Sequence, residues 1–302
     1  MPILNLFAEI DQISRLQKRL GKTPPADLKS LRSHLQEIIR DSSALGSRIP
    51  AGAKILDVGC GLGDSVQILM SMGYDASGVD IIEYWNRGFE SFWEDRLKPQ
   101  GAYLEKLHLV ECEHYRFPFP DASFDFAFSS QLFEHVFNCE DVFREIARVL
   151  KPGGISLHVF PGPNMFLEGH INVPLPFLCH WPPYLYFWAL MGRRSLRQGG
   201  FSWKETVASN MELMNICRYP TKRQLFDDAR RAEVHIEFVE IKRIQLRDKG
   251  RLHNLLVGTP KPFRSMIEHL ATWCGQRSML IHGLTRDERM KRERHDMGQH
   301  ET

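Results

Sequence analysis

Apolar positions along this chain fall first into helical spacing and then into a repeating alternation of short runs and helical stretches. Leu4, Phe7, Ile10, Ile13, Leu16 and Leu20 share one helix face, Gly21 stops that helix, and Pro24-Pro25 opens a second with the stripe Leu28, Leu31, Leu35 and Ile38. The pair reads as an N-terminal helical hairpin over residues 1–47, a cap packed on the core; a homodimer contact or contact with a membrane surface are its alternatives. Beyond it, Ile55, Leu56 and Val58 predict a strand buried on both faces. A helix through Val66, Ile68, Leu69 and Met70 follows, capped by Asp64 or Ser65 and ended by Gly73. The rhythm repeats with strands over 75–81, 106–111, 124–130 and 155–160. An aromatic helix (Tyr84, Trp85, Phe89, Phe92, Trp93) and one carrying Val142, Phe143, Ile146 and Val149 lie between them. Strands alternating with helices predict an α/β fold with a parallel, doubly wound sheet.

Residues 164–218 break that rhythm with Pro174, Pro176, Pro182, Pro183 and a cluster of aromatics, so they read as an insertion. The stretch Val173 to Met191 is apolar enough to suggest a membrane span, but its prolines would leave backbone groups unpaired in lipid. A lid or a monotopic surface patch suits it better. A helix over 221–232 and strands over 235–246 and 252–259 come next, then a short helix around Met266, Leu270 and Trp273 and a charged tail, 286–302.

Composition narrows the function classes. A net charge of +2 over 302 residues gives no basic face for nucleic acid, and the 43% hydrophobic content is enough for one large core. Six cysteines without zinc-type spacing read as reduced thiols of a cytosolic protein, and the first residues lack the basic start and apolar run of a signal peptide.

The chemistry centres on Gly59, Gly61 and Gly63, which follow the first strand and open the next helix. Such a turn lets backbone N–H groups approach a ligand without Cβ clashes. The dinucleotide fingerprint would need a glycine at 64, where Asp64 stands, and the lysine of a P-loop is absent. Asp57 repels a pyrophosphate and suits an ammonium or sulfonium. Asp80 ends the second strand, 19 residues past Gly61, where an acid accepts ribose hydroxyls. Glu113 can accept an adenine amine, and the His114 backbone N–H can meet a ring nitrogen.

Together, Leu56 to Gly63, Gly78-Val79-Asp80, Phe117 to Asp125, Glu134-His135-Val136 and Arg148 to Gly154 resemble, in order and spacing, the small-molecule class I S-adenosylmethionine (SAM)-dependent methyltransferases. The resemblance covers residues 53–163. It implies a Rossmann-like sheet of seven strands, six parallel and the last antiparallel, with a SAM-binding core over 48–163, a lid over 164–218, core completion over 219–260 and a C-terminal helix and tail over 261–302. It places Asp57, Gly59, Cys60, Gly61 and Gly63 at the methionine end of SAM, Asp80 and Ile81 at the ribose, and Glu113 and His114 at the adenine. Ser129, Ser130 and Gln131 line the methionine moiety and face the acceptor. Glu113 is one methylene longer than the family's usual Asp.

If the acceptor is a hydroxyl, a base adds a factor of about 10²–10⁴. His170, in the polar island Leu167 to Pro174, is the favoured base. His135 on the Glu-His-Val turn is its rival, and His180 reads as a packed lid residue. Arg193, Arg194 and Arg197 offer an anionic acceptor a partner or form a solvated face. Related enzymes with Glu-x-x-Glu-His bind a divalent ion; Gln131 here removes one carboxylate, so no metal is expected. The expected function is methylation of an oxygen on a small-molecule or lipid-linked, glycan-pathway acceptor, cytoplasmic or peripheral at a membrane. An isoprenoid-quinone or lipid C- or O-methyltransferase and a non-catalytic SAM-binding protein are the alternatives.

Overall fold

The computed structural model describes residues 28–47, 49–81, 103–111, 114–195, 198–246, 256, 258–285 and 287–288. The first helix of the hairpin, the aromatic helix and Glu113 lie outside them.

Helix α1 (Leu28–Ala44) buries Leu35 and Ile38, as its stripe predicts. Strands β1 (Lys54–Val58), β2 (Asp75–Asp80), β3 (Leu107–Leu109), β4 (Phe124–Ser130) and β5 (Leu150–Pro161) are parallel neighbours in the order β3-β2-β1-β4-β5. Helices α2 (Asp64–Ser71) and α3 (Cys139–Val149) connect them. Period-two alternation sorts the sheet's side chains onto two faces. Ile55, Phe126, Phe128 and Leu280 pack under α1 and α2, while Leu56, Ala127, Met279 and Ile281 pack under α3 and against Leu225 and Ala229 of a later helix. Strand order reverses between β1, which pairs with β2, and β4, which pairs with β1's other edge. That switch point opens a crevice at the carboxyl ends of the strands.

The insertion folds as a unit with its own small core. A two-stranded hairpin, β6 (Leu167–Glu168) and β7 (Val173–Pro174), precedes α4 (Pro182–Leu190) and α5 (Trp203–Asn215). Ile171, Val173, Cys179, Leu185, Met214 and Cys217 are buried together there.

The sheet does close with seven strands, six running one way and one antiparallel, but the closing elements differ from the expected ones. After α6 (Lys222–Arg231), strand β8 is only Ile236–Phe238, and helix α7 (Glu240–Gln245) replaces the rest of the strand expected over 235–246. Glu240 and Arg243 point inward from α7: Arg243 donates from Nε to Asp41 Oδ2 at 2.9 Å and from Nη1 to Ser278 Oγ at 2.8 Å. Buried charges on a helix's inner face disguise its period. The antiparallel strand beside β5 is β9 (Gln276–His282), after α8 (Lys261–Cys274); most of the strand expected over 252–259 lies outside the described residues. Wedged between β5 and β8, β9 is buried on both faces, so Met279-Leu280-Ile281 shows no alternation.

Candidate active site

The glycine turn is built as the sequence implies, with one correction. Gly59, Gly61 and Gly63 have φ of 79°, 54° and 81°. Neither Asp64 nor Ser65 caps α2; Gly63 is the N-cap in left-handed conformation, and the Ser65 hydroxyl is given to Asp57. A Cβ on Gly59 would stand 2.7 Å from Leu132 Cδ1, whereas at Gly61 it would meet nothing within 4 Å. Gly61 therefore borders the open space. Its N–H donates to Asp80 Oδ2 at 2.8 Å, so the acid expected to hold a ribose also fixes the turn.

Asp57 is 3% exposed beneath that turn. Burial, followed by repulsion from Asp80 and opposed by the Ser65 bond, raises its carboxyl to about 7. A cationic ligand relieves this, as a pyrophosphate does not.

A narrow cleft of about 50 Å³ opens at the switch point, lined by Gly59, Asp80, Ile81, Val110, Tyr115, Phe117, Leu132 and His135 among others. His114, expected at an adenine, is exposed. The walls that suit a flat aromatic base are Val110, Tyr115 and Phe117. Phe117 had a signal in the Phe-Pro-Phe-Pro-Asp run, but Tyr115 had none, since it reaches the cleft through a left-handed φ of 44°.

The three residues expected to line the methionine end are spent elsewhere or point outward. Ser129 is fully buried and shares a 2.8 Å hydrogen bond with His158 Nδ1. Ser130 Oγ meets His34 Nε2 of α1 at 3.0 Å. Gln131 is exposed with φ of 58°, and its N–H donates to Val159 O.

Both candidate bases meet, although 35 residues separate them. The His135 and His170 rings lie edge to face with centroids 5.1 Å apart. Nδ1 of His135 is 3.2 Å from the Ile216 carbonyl, and Nδ1 of His170 is 2.6 Å from Glu168 Oε1. These acceptors put the proton on Nδ1 in each ring and leave Nε2 as the basic nitrogen. Burial works to raise the Glu168 carboxyl, but bonds from His170, the Tyr219 hydroxyl and the Ile171 N–H hold it below its ordinary value. Desolvation, then the neighbouring His170, lowers His135 to about 4. Glu134 is fully buried and raised to about 7, chiefly by burial. Arg194 ties the lid together through the Ala189 and Phe201 carbonyls, and His180 is exposed rather than packed.

A family model described as a methyltransferase domain matches residues 56–157. Residues 56–157 form a class I SAM-dependent methyltransferase domain. The chain is similar to the sterol 24-C-methyltransferase ERG6B of Gibberella zeae, 37% identical over 114 residues that make up 35% of this chain and 27% of that one. It is also similar to 24-methylenesterol C-methyltransferase 2 of Arabidopsis thaliana, 39% identical over 111 residues, 36% of this chain and 29% of that one. A SAM-dependent Diels-Alderase, iccD, of Talaromyces variabilis is 36% identical over 107 residues, 35% of each chain. The match thus spans about a third or less of each of these relatives. Among solved structures, a SAM-dependent methyltransferase from Archaeoglobus fulgidus is 16% identical with a TM-score of 0.42, covering 84% of this chain and 93% of that one.

In the methyltransferase domain the cofactor is SAM, and the cleft's residues fit it: Asp57 suits its charge, Asp80 its ribose and the apolar wall its base. Asp80→Ala is expected to weaken SAM by about 1–3 kcal/mol, through lost charge-assisted bonds and a loosened Gly61 N–H. Calorimetry showing unchanged affinity would overturn the placement of Asp80.

Proposed function

We propose that the protein transfers the methyl group of SAM to an oxygen of a lipid-type or lipid-linked acceptor at a membrane surface, and that His170 and His135 activate that oxygen. The observation that carries this reading is the set of exposed apolar side chains on the lid. Phe166 is 73% exposed, Met191 66%, and Phe177, Trp181, Phe187 and Leu190 are each more than half exposed. This exceeds the scatter of single apolar residues on an ordinary surface and suits an apolar partner. No helix among the described residues is long and apolar enough to cross a membrane, so the lid would lie on lipid rather than span it.

The other end of the insertion reaches the cleft. His170 follows β6 and touches His135, which lines the SAM site, so an acceptor drawn from the lid side meets the methyl beside two imidazoles. Transfer is an in-line displacement: the S–CH₃ bond breaks as the O–CH₃ bond forms, the sulfonium leaves as neutral thioether, and the hydroxyl proton is taken up at the histidine cluster. Alignment of the two reactants supplies about 7–11 kcal/mol of the barrier. The sterol relatives are named for carbon methylation, which makes a lipid carbon the second reading.

Incubation with isotopically labelled methyl-SAM and a lipid extract in vesicles tests this. Label should enter a lipid product at a methoxy carbon, and His170→Ala should lower kcat by about 10² or more while SAM affinity stays within a few-fold. Label on a carbon-bound methyl would transfer the reading to C-methylation. SAM binding with no product from any extract would favour a SAM-binding protein without methyl transfer.

A further inference from the structure

The sequence offers no metal spacing, but the fold gathers donors that lie far apart along the chain. His135, His170 and Cys217 place one ligand atom each within 4.8 Å of one another. The backbone N–H of Arg218 donates to the Glu134 carbonyl at 2.7 Å, which pins Cys217 beside the Glu134-His135 turn. From this arrangement we infer that His135, His170 and Cys217 form a binding site for one zinc-class divalent cation at the acceptor side of the SAM cleft.

Three features argue for a cation over a merely packed cluster. The first is the polar contacts of the two rings. His170 gives Nδ1 to Glu168 Oε1 at 2.6 Å, while His135 Nδ1 lies 3.2 Å from Ile216 O and 3.8 Å from Cys217 Sγ. A carboxylate or carbonyl behind the ring is the usual support of a metal-ligating histidine. The second is Glu134. It is fully buried, both of its carboxylate oxygens lack a hydrogen-bond partner, and Oε1 lies 3.9 Å from His135 Nε2. An unpaired buried carboxylate is costly, and a cation within the cluster supplies its missing counter-charge.

The third feature is the donor chemistry. Two imidazoles and a thiolate select a borderline-soft ion and not magnesium or calcium, which take oxygen ligands. Tetrahedral zinc separates its donors by roughly 3.3–3.8 Å, so the three atoms need to draw together by about 1 Å. Cys217 is buried, whereas the His135 and His170 side chains keep 30% and 26% of their surface, so one side stays open to a fourth ligand. Three protein ligands and an open position make a catalytic kind of site. An acceptor hydroxyl in that position would lose its proton more readily, and that proton would go to solvent, because with the cation bound the two imidazoles would act as ligands in place of their role as bases. This consequence rests on the reading that the acceptor enters here; the cation site itself does not.

The experiment uses the full chain, freed of metal with a chelator and titrated with cobalt(II), then zinc(II). Expected are one cobalt per chain by equilibrium dialysis, visible bands of tetrahedral intensity, a near-ultraviolet thiolate-to-cobalt charge-transfer band, and displacement of all of these by zinc. Cys217→Ser should abolish the charge-transfer band, and His170→Asn should weaken cobalt at least tenfold; calorimetric SAM binding reports that each variant is folded. Absence of stoichiometric binding, or a spectrum unchanged in folded Cys217→Ser protein, overturns the site. Should the chain bind no cobalt yet lose turnover in His170→Ala, the cation fails while the methyltransferase reading stands. If labelled methyl reaches no acceptor although cobalt binds as described, that reading fails while the cation site stands.

Discussion

Asp57→Asn is expected to stabilise the ligand-free protein above pH 7 and, in the same variant, to weaken SAM. Asp57 is buried, with its carboxyl raised from 3.8 to about 7, burial contributing most. Between those two values the folded chain binds a proton that the unfolded chain has released. Stability therefore falls as pH rises from about 4 to about 7 and is level above that. The separation corresponds to about 4 kcal/mol, an order-of-magnitude figure from ~1.36 kcal/mol per pH unit. Asparagine removes the titration and can still accept the Ser65 hydroxyl. The wild-type melting temperature should drop across that interval while the variant's stays flat; two parallel profiles would refute the argument. With SAM placed so that its cationic end pairs with the ionised carboxylate, as proposed, the preference is expected to reverse. The affinity of SAM for the wild type should climb with pH up to about 7 and then level, a dependence that Asp57→Asn abolishes.

The same residue shows how much could be read before folding. Gly59, Gly61, Gly63, Asp57 and Asp80 are consecutive in one strand-turn-helix-strand unit, so local chemistry fixes where they go, and the strands of the parallel half emerged within a few residues of their expected bounds. Elements whose identity depends on distant partners were less legible. Arg243 points inward because Asp41, 202 residues earlier, receives it, and no local pattern announces that. Strand β9 carries only a short apolar run, Met279 to Ile281, and its neighbours β5 and β8 lie far from it along the chain.

The acceptor side was legible residue by residue but not as a cluster. His135 and His170 each stood out, yet Cys217, Glu168 and Tyr219 joined them only through the insertion's hairpin and its return to the Glu134 carbonyl. Ser129 and Ser130 show the opposite case. They sit at the expected strand end, but their hydroxyls are claimed by His158 and His34, histidines whose positions gave no hint of it.

The largest loss of stability is expected from Glu145→Ala, a position outside every predicted site. Glu145 and Arg148 face each other one turn apart on α3, both buried, with Arg148 Nε 2.7 Å from Oε1 and Nη2 2.6 Å from Oε2. The pair is also the anchor of the Phe-Pro-Phe-Pro-Asp loop. Glu145 Oε2 accepts the Phe117 N–H at 2.7 Å, and Arg148 donates to the Phe117 and Phe119 carbonyls and to Asp121 Oδ1. Removing the carboxylate leaves a buried guanidinium that faces the more exposed Asp121, a change that costs about 3–5 kcal/mol. Replacing an isolated buried pair by apolar residues is often neutral, but this pair holds backbone. The double variant Glu145→Leu with Arg148→Met should stay destabilised, because the Phe117 N–H and two loop carbonyls lose their partners at about 1–3 kcal/mol for each buried group left unsatisfied. Phe117 forms a wall of the SAM cleft, so both variants should also weaken SAM while leaving Asp57 and the glycine turn untouched. Urea unfolding with and without SAM measures both effects. Full recovery of stability in the double variant would show that the charges cancel and that the loop holds itself.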